Sequence, residues 1–253
     1  MRTTELPAAF VSPYSEAQLQ FAVAAWPMRA AEELRSALIF RALARAARDS
    51  GMPEPWPTRF AAATCDEVRH ARLCAIVGAR LGAPAPTYRS HPARTRIESL
   101  PEPVVRLTSL LLVEVAVGET ISTCLFRAGR RASKEPLTRA ALGIIVGDEI
   151  HHQQLGWAAL ASLWPTLTDP VRTAMQREAA RGLGACEQQT ACPAMGWLEK
   201  GRPFAPAYAA LGVLHPEARI EAFYAAVETL VLPRLTYLGI DGALAWKNRY
   251  RDS

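Results

Sequence analysis

Two five-residue stretches repeat one pattern, Asp-Glu-x-x-His: Asp66-Glu67-Val68-Arg69-His70 and, 82 residues later, Asp148-Glu149-Ile150-His151-His152. The chain has only 5 histidines, so two of them in one setting, each with the same acidic pair ahead of it, is a strong signal. Residues three apart on an α-helix are surface neighbours, with Cβ atoms roughly 5–6 Å apart. Glu67 with His70, and Glu149 with His152, therefore each offer a carboxylate oxygen and an imidazole nitrogen to one point. Each pair is half of a metal site, and each commits its stretch to a helix.

A four-helix bundle that turns two such helices inward, and adds one Glu from each of the other two, encloses two metal ions between shared carboxylates. Both further glutamates are present. Glu33 lies 34 residues before Glu67, and Glu119 lies 30 before Glu149, which completes the order Glu, Glu-x-x-His, Glu, Glu-x-x-His. On a helical wheel of the first stretch, Arg35, Arg41, Arg45 and Arg48 fall on one side and Ile39, Phe40 and Leu43 on the other. Glu32 and Glu33 flank the apolar side equally, so the wheel leaves that choice open.

This pattern resembles the ferritin-like di-iron carboxylate superfamily over about residues 28–164. That superfamily includes ferritins, rubrerythrins, the radical-generating subunit of ribonucleotide reductase and bacterial multicomponent monooxygenases. Asp66 to His70 fits the Asp-Glu-x-Arg-His form of the oxygenase and reductase branches, while the second copy has His151 in place of Arg. The resemblance implies an all-α fold: a ferritin-like four-helix bundle with one long crossover between helices 2 and 3, here with additional C-terminal helices. It implies metal ligands Glu33 (preferred to Glu32 on the family's spacing), Glu67, His70, Glu119, Glu149 and His152, holding two iron ions with dioxygen as co-substrate. Manganese suits the same hard oxygen and imidazole donors. Cys74 stands four residues after His70, where the reductase subunit carries its radical tyrosine, so that activity is not expected.

Around the ligands, Asp66 and Asp148 are expected to accept a hydrogen bond from the ligand histidine of the other pair, fixing its tautomer. Helices three and four are joined by the short turn at Ala132 to Glu135, so ligands at equal depth lie equally far from it. Glu119 is 13 residues before Ala132 and Glu149 is 14 after Glu135, whereas Glu114 is 18 before, roughly 6 Å too deep at 1.5 Å per residue. Glu114 is therefore expected in a supporting or salt-bridged place. Gly118, in mid-helix, costs about 1 kcal/mol relative to Ala, which points to a local bulge or to space for a small molecule. Cys74, Gly118, Thr123 and Gly156 are the residues expected around such a pocket.

In chain order, residues 1–27 read as an N-terminal wrap, with a helix opening near Glu16 and Pro27 interrupting it. The bundle helices are expected at about Met28 to Asp49, Thr58 to Leu81, Glu102 to Arg130 and Pro136 to Leu163. Residues 165–253 read as a C-terminal helical extension of the same single domain: a helix from Asp169 to Leu183, an irregular stretch from Gly184 to about Leu214, and a helix to Leu238. The 22-residue span from Gly82 to Pro103, with five prolines, is long for a compact domain unless it crosses one.

Half of the residues are hydrophobic, enough for a large core. The net charge of +5 is spread without a basic run, which argues against a nucleic-acid partner. The apolar stretch from Leu110 to Val117 is too short to span a bilayer, and no signal peptide is evident, so a cytoplasmic protein away from membranes is expected. The 5 cysteines lack a Cys-x-x-Cys pair, and reduced thiols are expected, Cys186 and Cys192 included. The expected activity is a non-haem di-iron oxidase or oxygenase acting on a small organic substrate by hydroxylation, desaturation or N-oxygenation. With no dinucleotide, flavin or iron–sulfur motif in the chain, electrons would come from a separate reductase or ferredoxin. The alternatives are a ferroxidase that handles iron and a metal-stabilised scaffold; a homodimer is compatible with each.

Overall fold

The computed structural model describes residues 14–84, 99–202 and 204–251, and every regular element among them is helical. Helix α1 (Glu16–Asp49) opens on a capping box. The Gln18 backbone N–H donates to Ser15 Oγ, and the Ser15 N–H donates back to Gln18 Oε1 at 2.8 Å. The helix then runs through Pro27 for 34 residues, so residues 16–27 are part of α1 rather than a separate surface wrap. An interior proline removes one helical hydrogen bond. Here the ring also packs against α2 (Trp56–Arg80), where a side chain in place of Gly78 would meet Pro27 Cδ at 3.5 Å. The positive φ of Gly51 (67°) turns the chain between these two antiparallel helices. Residues 1–13, and most of the expected crossover (85–98), lie outside the described residues.

The third bundle helix is continuous over Pro103–Ala132, but its hydrogen bonding changes along the way. It begins as α3 (Pro103–Ser109), widens into a π-helical segment at Leu110–Gly118, and resumes as α4 (Glu119–Ala132). The bulge anticipated at Gly118 is thus nine residues long and ends at that glycine. By length and composition this 30-residue helix could cross a membrane, contrary to the short apolar span expected from sequence. However, 61% of its apolar window is buried inside the protein, as in a core helix. Helix α5 (Pro136–Leu163) follows a tight turn. Glu135 caps it by accepting from the N–H groups of Leu137 and Thr138 at 3.1 and 2.7 Å.

Beyond the four-helix region, α6 (Asp169–Glu199) continues well past Leu183, and the irregular stretch expected from Gly184 starts only after Glu199. Its glycines are places of close approach rather than breaks. A side chain at Gly182 would meet Val113 Cγ1 at 2.8 Å, and one at Gly184 would collide with the Arg249 carbonyl. Short α7 (Pro206–Ala210) precedes α8 (Pro216–Ala226), a π turn at Val227–Val231, α9 (Leu232–Tyr237) and α10 (Gly242–Lys247). Helix α6 packs on the Leu110–Gly118 segment, α8 on α4, and α10 on α6.

The core falls into two apolar clusters. One contains Trp26, Ala30, Cys74, Val77, Leu142 and Ile145, and the other Phe40, Leu43, Phe60, Leu111, Val115 and Leu160. Between them, on α1, α2 and α5 alike, sit the acidic and histidine residues singled out above. Gly156 and Cys74, expected to leave space beside that layer, do not. Cys74 is fully buried among apolar side chains, and a side chain at Gly156 would meet Ala116 N and Val115 Cγ1 at 2.9 Å. Thr123 is likewise buried, its hydroxyl donating to the carbonyls of Glu119 and Glu149 at 2.6 and 3.2 Å.

Gly156→Ala is expected to destabilise the fold by about 1–3 kcal/mol through overpacking. Gly147→Ala, on the exposed side of the same helix with nothing within 4 Å, should be neutral or stabilising by up to about 1 kcal/mol. Urea unfolding of the two variants measures the difference.

Candidate metal centre

Six side chains from α1, α2, α4 and α5 converge in the layer between the two apolar clusters. Glu33 comes from α1, Glu67 and His70 from α2, Glu119 from the first turn of α4, and Glu149 and His152 from α5. All six are at most 7% exposed. They form two overlapping groups of potential ligand atoms, Glu33/Glu67/His70/Glu149 and Glu67/Glu119/Glu149/His152, in which one atom from each residue lies within 4.8 Å of every other. Glu67 and Glu149 belong to both groups. Glu32, the alternative on α1, is exposed.

Each imidazole turns Nδ1 toward the carboxylates. His70 Nδ1 is 3.4 Å from Glu33 Oε2 and 3.3 Å from Glu149 Oε1, while His152 Nδ1 is 2.8 Å from Glu67 Oε1 and 3.3 Å from Glu149 Oε2. Each Nε2 faces the aspartate of the opposite motif: His70 with Asp148 at 3.0 Å, His152 with Asp66 at 3.4 Å. An ionised aspartate can only accept, so Nε2 carries the proton and Nδ1 faces the carboxylates. One guanidinium spans both aspartates, since Arg69 Nη2 is 2.6 Å from Asp148 Oδ2 and 2.9 Å from Asp66 Oδ1. Sequence reading gave Arg69 no role. The signal was there in the two aspartates, which a pseudo-symmetric pairing brings to one side of the site. His151 points away, its Nδ1 2.9 Å from the Gly147 carbonyl on an exposed face.

In the absence of metal this layer is electrostatically strained. Burial, and then the neighbouring carboxylates, push the Glu33 and Glu119 carboxyls well above the ordinary range, despite the His70 imidazole beside Glu33. Burial would also raise Glu149, but His152, His70 and Glu119 beside it overcome that and hold the carboxyl at about 2. Burial opposes charge on the imidazoles, yet the carboxylates prevail: His152 is held up to about 12 by Asp66, Glu149 and Glu67, and His70 is raised by Asp148, Glu149, Glu33 and Glu67. Even so, the imidazole contacts of Glu67, 2.8 Å to His152 and 3.6 Å to His70, lack hydrogen-bond geometry, so both Glu67 oxygens and His70 Nδ1 stay buried and unsatisfied among the described residues. Buried polar atoms normally find partners. Cations supply what is missing: four carboxylates match the charge of two divalent ions, and two neutral imidazoles complete a hard O/N donor set. The residues present fit such ions.

Glu114 lies outside this layer. The π-helical segment turns it toward α1, where Arg35 binds it at 2.8 and 3.0 Å. Both line a cavity of about 260 Å³ that is bounded by α1, the Leu110–Gly118 segment, α4 and α6, and that reaches Glu119 and Gly118. The Glu119 carboxyl thus belongs at once to the acidic layer and to the cavity wall. Among the described residues the cysteines are free thiols, Cys186 and Cys192 included. Comparison of the chain with protein families, with curated proteins and with solved structures finds no match.

Two outcomes are expected. Asp148→Asn should weaken divalent-metal affinity about 10- to 100-fold, as loss of a hydrogen-bond partner of a ligand histidine does elsewhere; competition against a chromophoric chelator measures it. The second concerns pH. Glu33, Glu119, His70 and His152 all bind protons more tightly when folded than when unfolded, so their stabilisation is lost as pH rises through their folded pKa values. The lowered carboxyls of Asp66, Asp148 and Glu149 act oppositely, but only at acidic pH. Above about pH 6.5, the unfolded histidine value, the first group sets the slope. The metal-free protein should therefore lose stability from about pH 6.5 to 9, and saturating divalent metal should flatten that dependence in urea unfolding.

Proposed function

We propose that the chain is a ferritin-like di-iron oxidase or oxygenase that uses dioxygen to oxidise a small organic molecule. The observation that supports this reading best is the pair of four-donor groups sharing Glu67 and Glu149, one of whose other members, Glu119, faces a cavity. A pair of ferrous ions held by Glu33, Glu67, His70, Glu119, Glu149 and His152 would supply the electrons needed to reduce dioxygen. The chain's own residues set the conditions for that chemistry. Four buried carboxylates balance the charge of two divalent ions and favour their oxidised forms. Asp66 and Asp148, linked by Arg69, hold the imidazole tautomers. The apolar clusters above and below exclude water, which strengthens every electrostatic interaction inside.

In this reading Glu119 would stand between metal and substrate: it heads α4 directly after the π-helical segment, and segments of that kind often sit at functional sites. Its carboxyl would help hold an ion in one of the two donor groups while bordering the cavity. The chain carries no cofactor-binding fingerprint for a reductant, so a separate reductase or ferredoxin is the proposed electron donor. Iron storage would need the same ions but gives no role to the cavity, and a purely structural centre would leave neither dioxygen reactivity nor a use for Glu119 at the cavity wall.

Metal-free protein loaded with ferrous iron under argon is expected to hold about two irons per chain and to develop a transient visible absorbance when oxygen is admitted. Glu149→Ala, which removes a shared ligand, should hold at most one iron and show no such band. Two irons that ignore oxygen in the wild type would sink the oxidase reading.

A further inference from the structure

The cavity beside Glu119 has an uneven charge lining. Arg35 is neutralised there by Glu114 at 2.8 Å. Arg29 and Arg219 are not: neither makes an ion pair with a carboxylate among the described residues. Instead each is held by a backbone carbonyl. Arg29 Nη2 donates to the Gly212 oxygen at 2.7 Å, with its guanidinium 4.8 Å from the centre of the Trp26 ring, and Arg219 Nε donates to the Thr190 oxygen at 3.1 Å. Arg29 Nη1 is buried with no hydrogen-bond partner among the described residues. Glu32, exposed at the rim, acts on both guanidiniums through space without contacting either.

We infer that this cavity is a subsite for a small organic carboxylate, its anionic end gripped by Arg29 and Arg219 and the rest of the molecule directed toward Glu119. The inference rests on the oxidase reading above, of which it names the substrate class. Each guanidinium is fixed by a carbonyl, Arg29 Nη1 is left without an acceptor among the described residues, and a planar fork matches a carboxylate bidentately. Burial lowers both arginine pKa values, and Arg219 lowers that of Arg29 further; this like-charge cost is removed when an anion sits between them. With Glu119 committed to metal and Arg35 to Glu114, the lining carries two free positive charges against Glu32. One negative charge neutralises it, so a monoanionic carboxylate fits better than a phosphate dianion. Arg29 stands one helical turn before Glu33 on α1, about 6 Å along the axis, which places the anion-binding end a short molecule's length from the metals. The volume, about 260 Å³, lies at the small end of ligand sites.

The test is calorimetric titration of the iron-loaded protein under argon with benzoate and hexanoate, against benzamide, hexanamide and inorganic phosphate. The carboxylates are expected to bind at least tenfold more tightly than their amides, and to lose at least tenfold in Arg29→Met and in Arg219→Met. Arg45→Met, on the outer face of α1, should leave binding unchanged. Iron content and circular dichroism check that each variant is intact. Should Arg29→Met fail to fold, Arg219→Met and the charge-preserving Arg29→Lys carry the test, the latter with a severalfold loss of binding. Equal binding of amides and carboxylates, phosphate binding more tightly than either carboxylate, or unchanged affinity in the arginine variants would each overturn the proposal. Because no oxygen is present, these failures are separate from a failure of dioxygen reactivity, which would sink the oxidase reading while leaving the anion site standing.

Discussion

Four glutamates cannot stay ionised together in a dry protein interior, and the rest of this structure follows from that constraint. Glu33, Glu67, Glu119 and Glu149 are buried in one layer with apolar clusters on both sides, which leaves water no part in dispersing their charge. Without cations the layer shares protons: two carboxyls are held up, one is held at about 2, and both histidines are drawn toward their charged forms. Glu67 meets imidazole nitrogens at 2.8 and 3.6 Å, but neither of its oxygens completes a hydrogen bond. Such an arrangement is poor for stability and suited to metal ions, whose binding free energy then becomes part of the folding free energy.

The surroundings keep the layer in register. The two Asp-Glu-x-x-His motifs face each other so that each aspartate meets the other's histidine, and Arg69 ties the two aspartates together. The π-helical segment ahead of Glu119 sets where that carboxyl enters the layer and turns Glu114 outward to Arg35. The C-terminal helices do more than cover a bundle. Helix α6 closes one side of the cavity, and the turn at Gly212 supplies the carbonyl that fixes Arg29.

The local parts of this site were legible from the chain alone, because Glu-x-x-His is a statement about one helical turn and needs no tertiary knowledge. Glu67, His70, Glu149 and His152 come together with Glu33 and Glu119 in the structure. Glu32 and Glu33 could not be separated on a wheel, since both border the apolar stripe; packing separates them, leaving Glu32 exposed and Glu33 buried. Punctuation by Gly and Pro misled in three places. Pro27 lies within α1, Gly184 within α6, and Gly156 at a helix contact rather than at a pocket, because in each case a neighbouring element comes too close for, or compensates, the unusual residue. The cavity does lie at Gly118, where the mid-helix glycine pointed, but its other walls come from helices far apart in sequence, and no local pattern announces those.

The most direct test of the central claim is a crystal structure of the protein grown with ferrous iron under argon, with anomalous diffraction collected on both sides of the iron absorption edge. Two iron peaks per chain, about 3.5–4 Å apart and each touching both Glu67 and Glu149, are the predicted result. A single peak, or iron bound only outside the layer between the apolar clusters, would contradict the account.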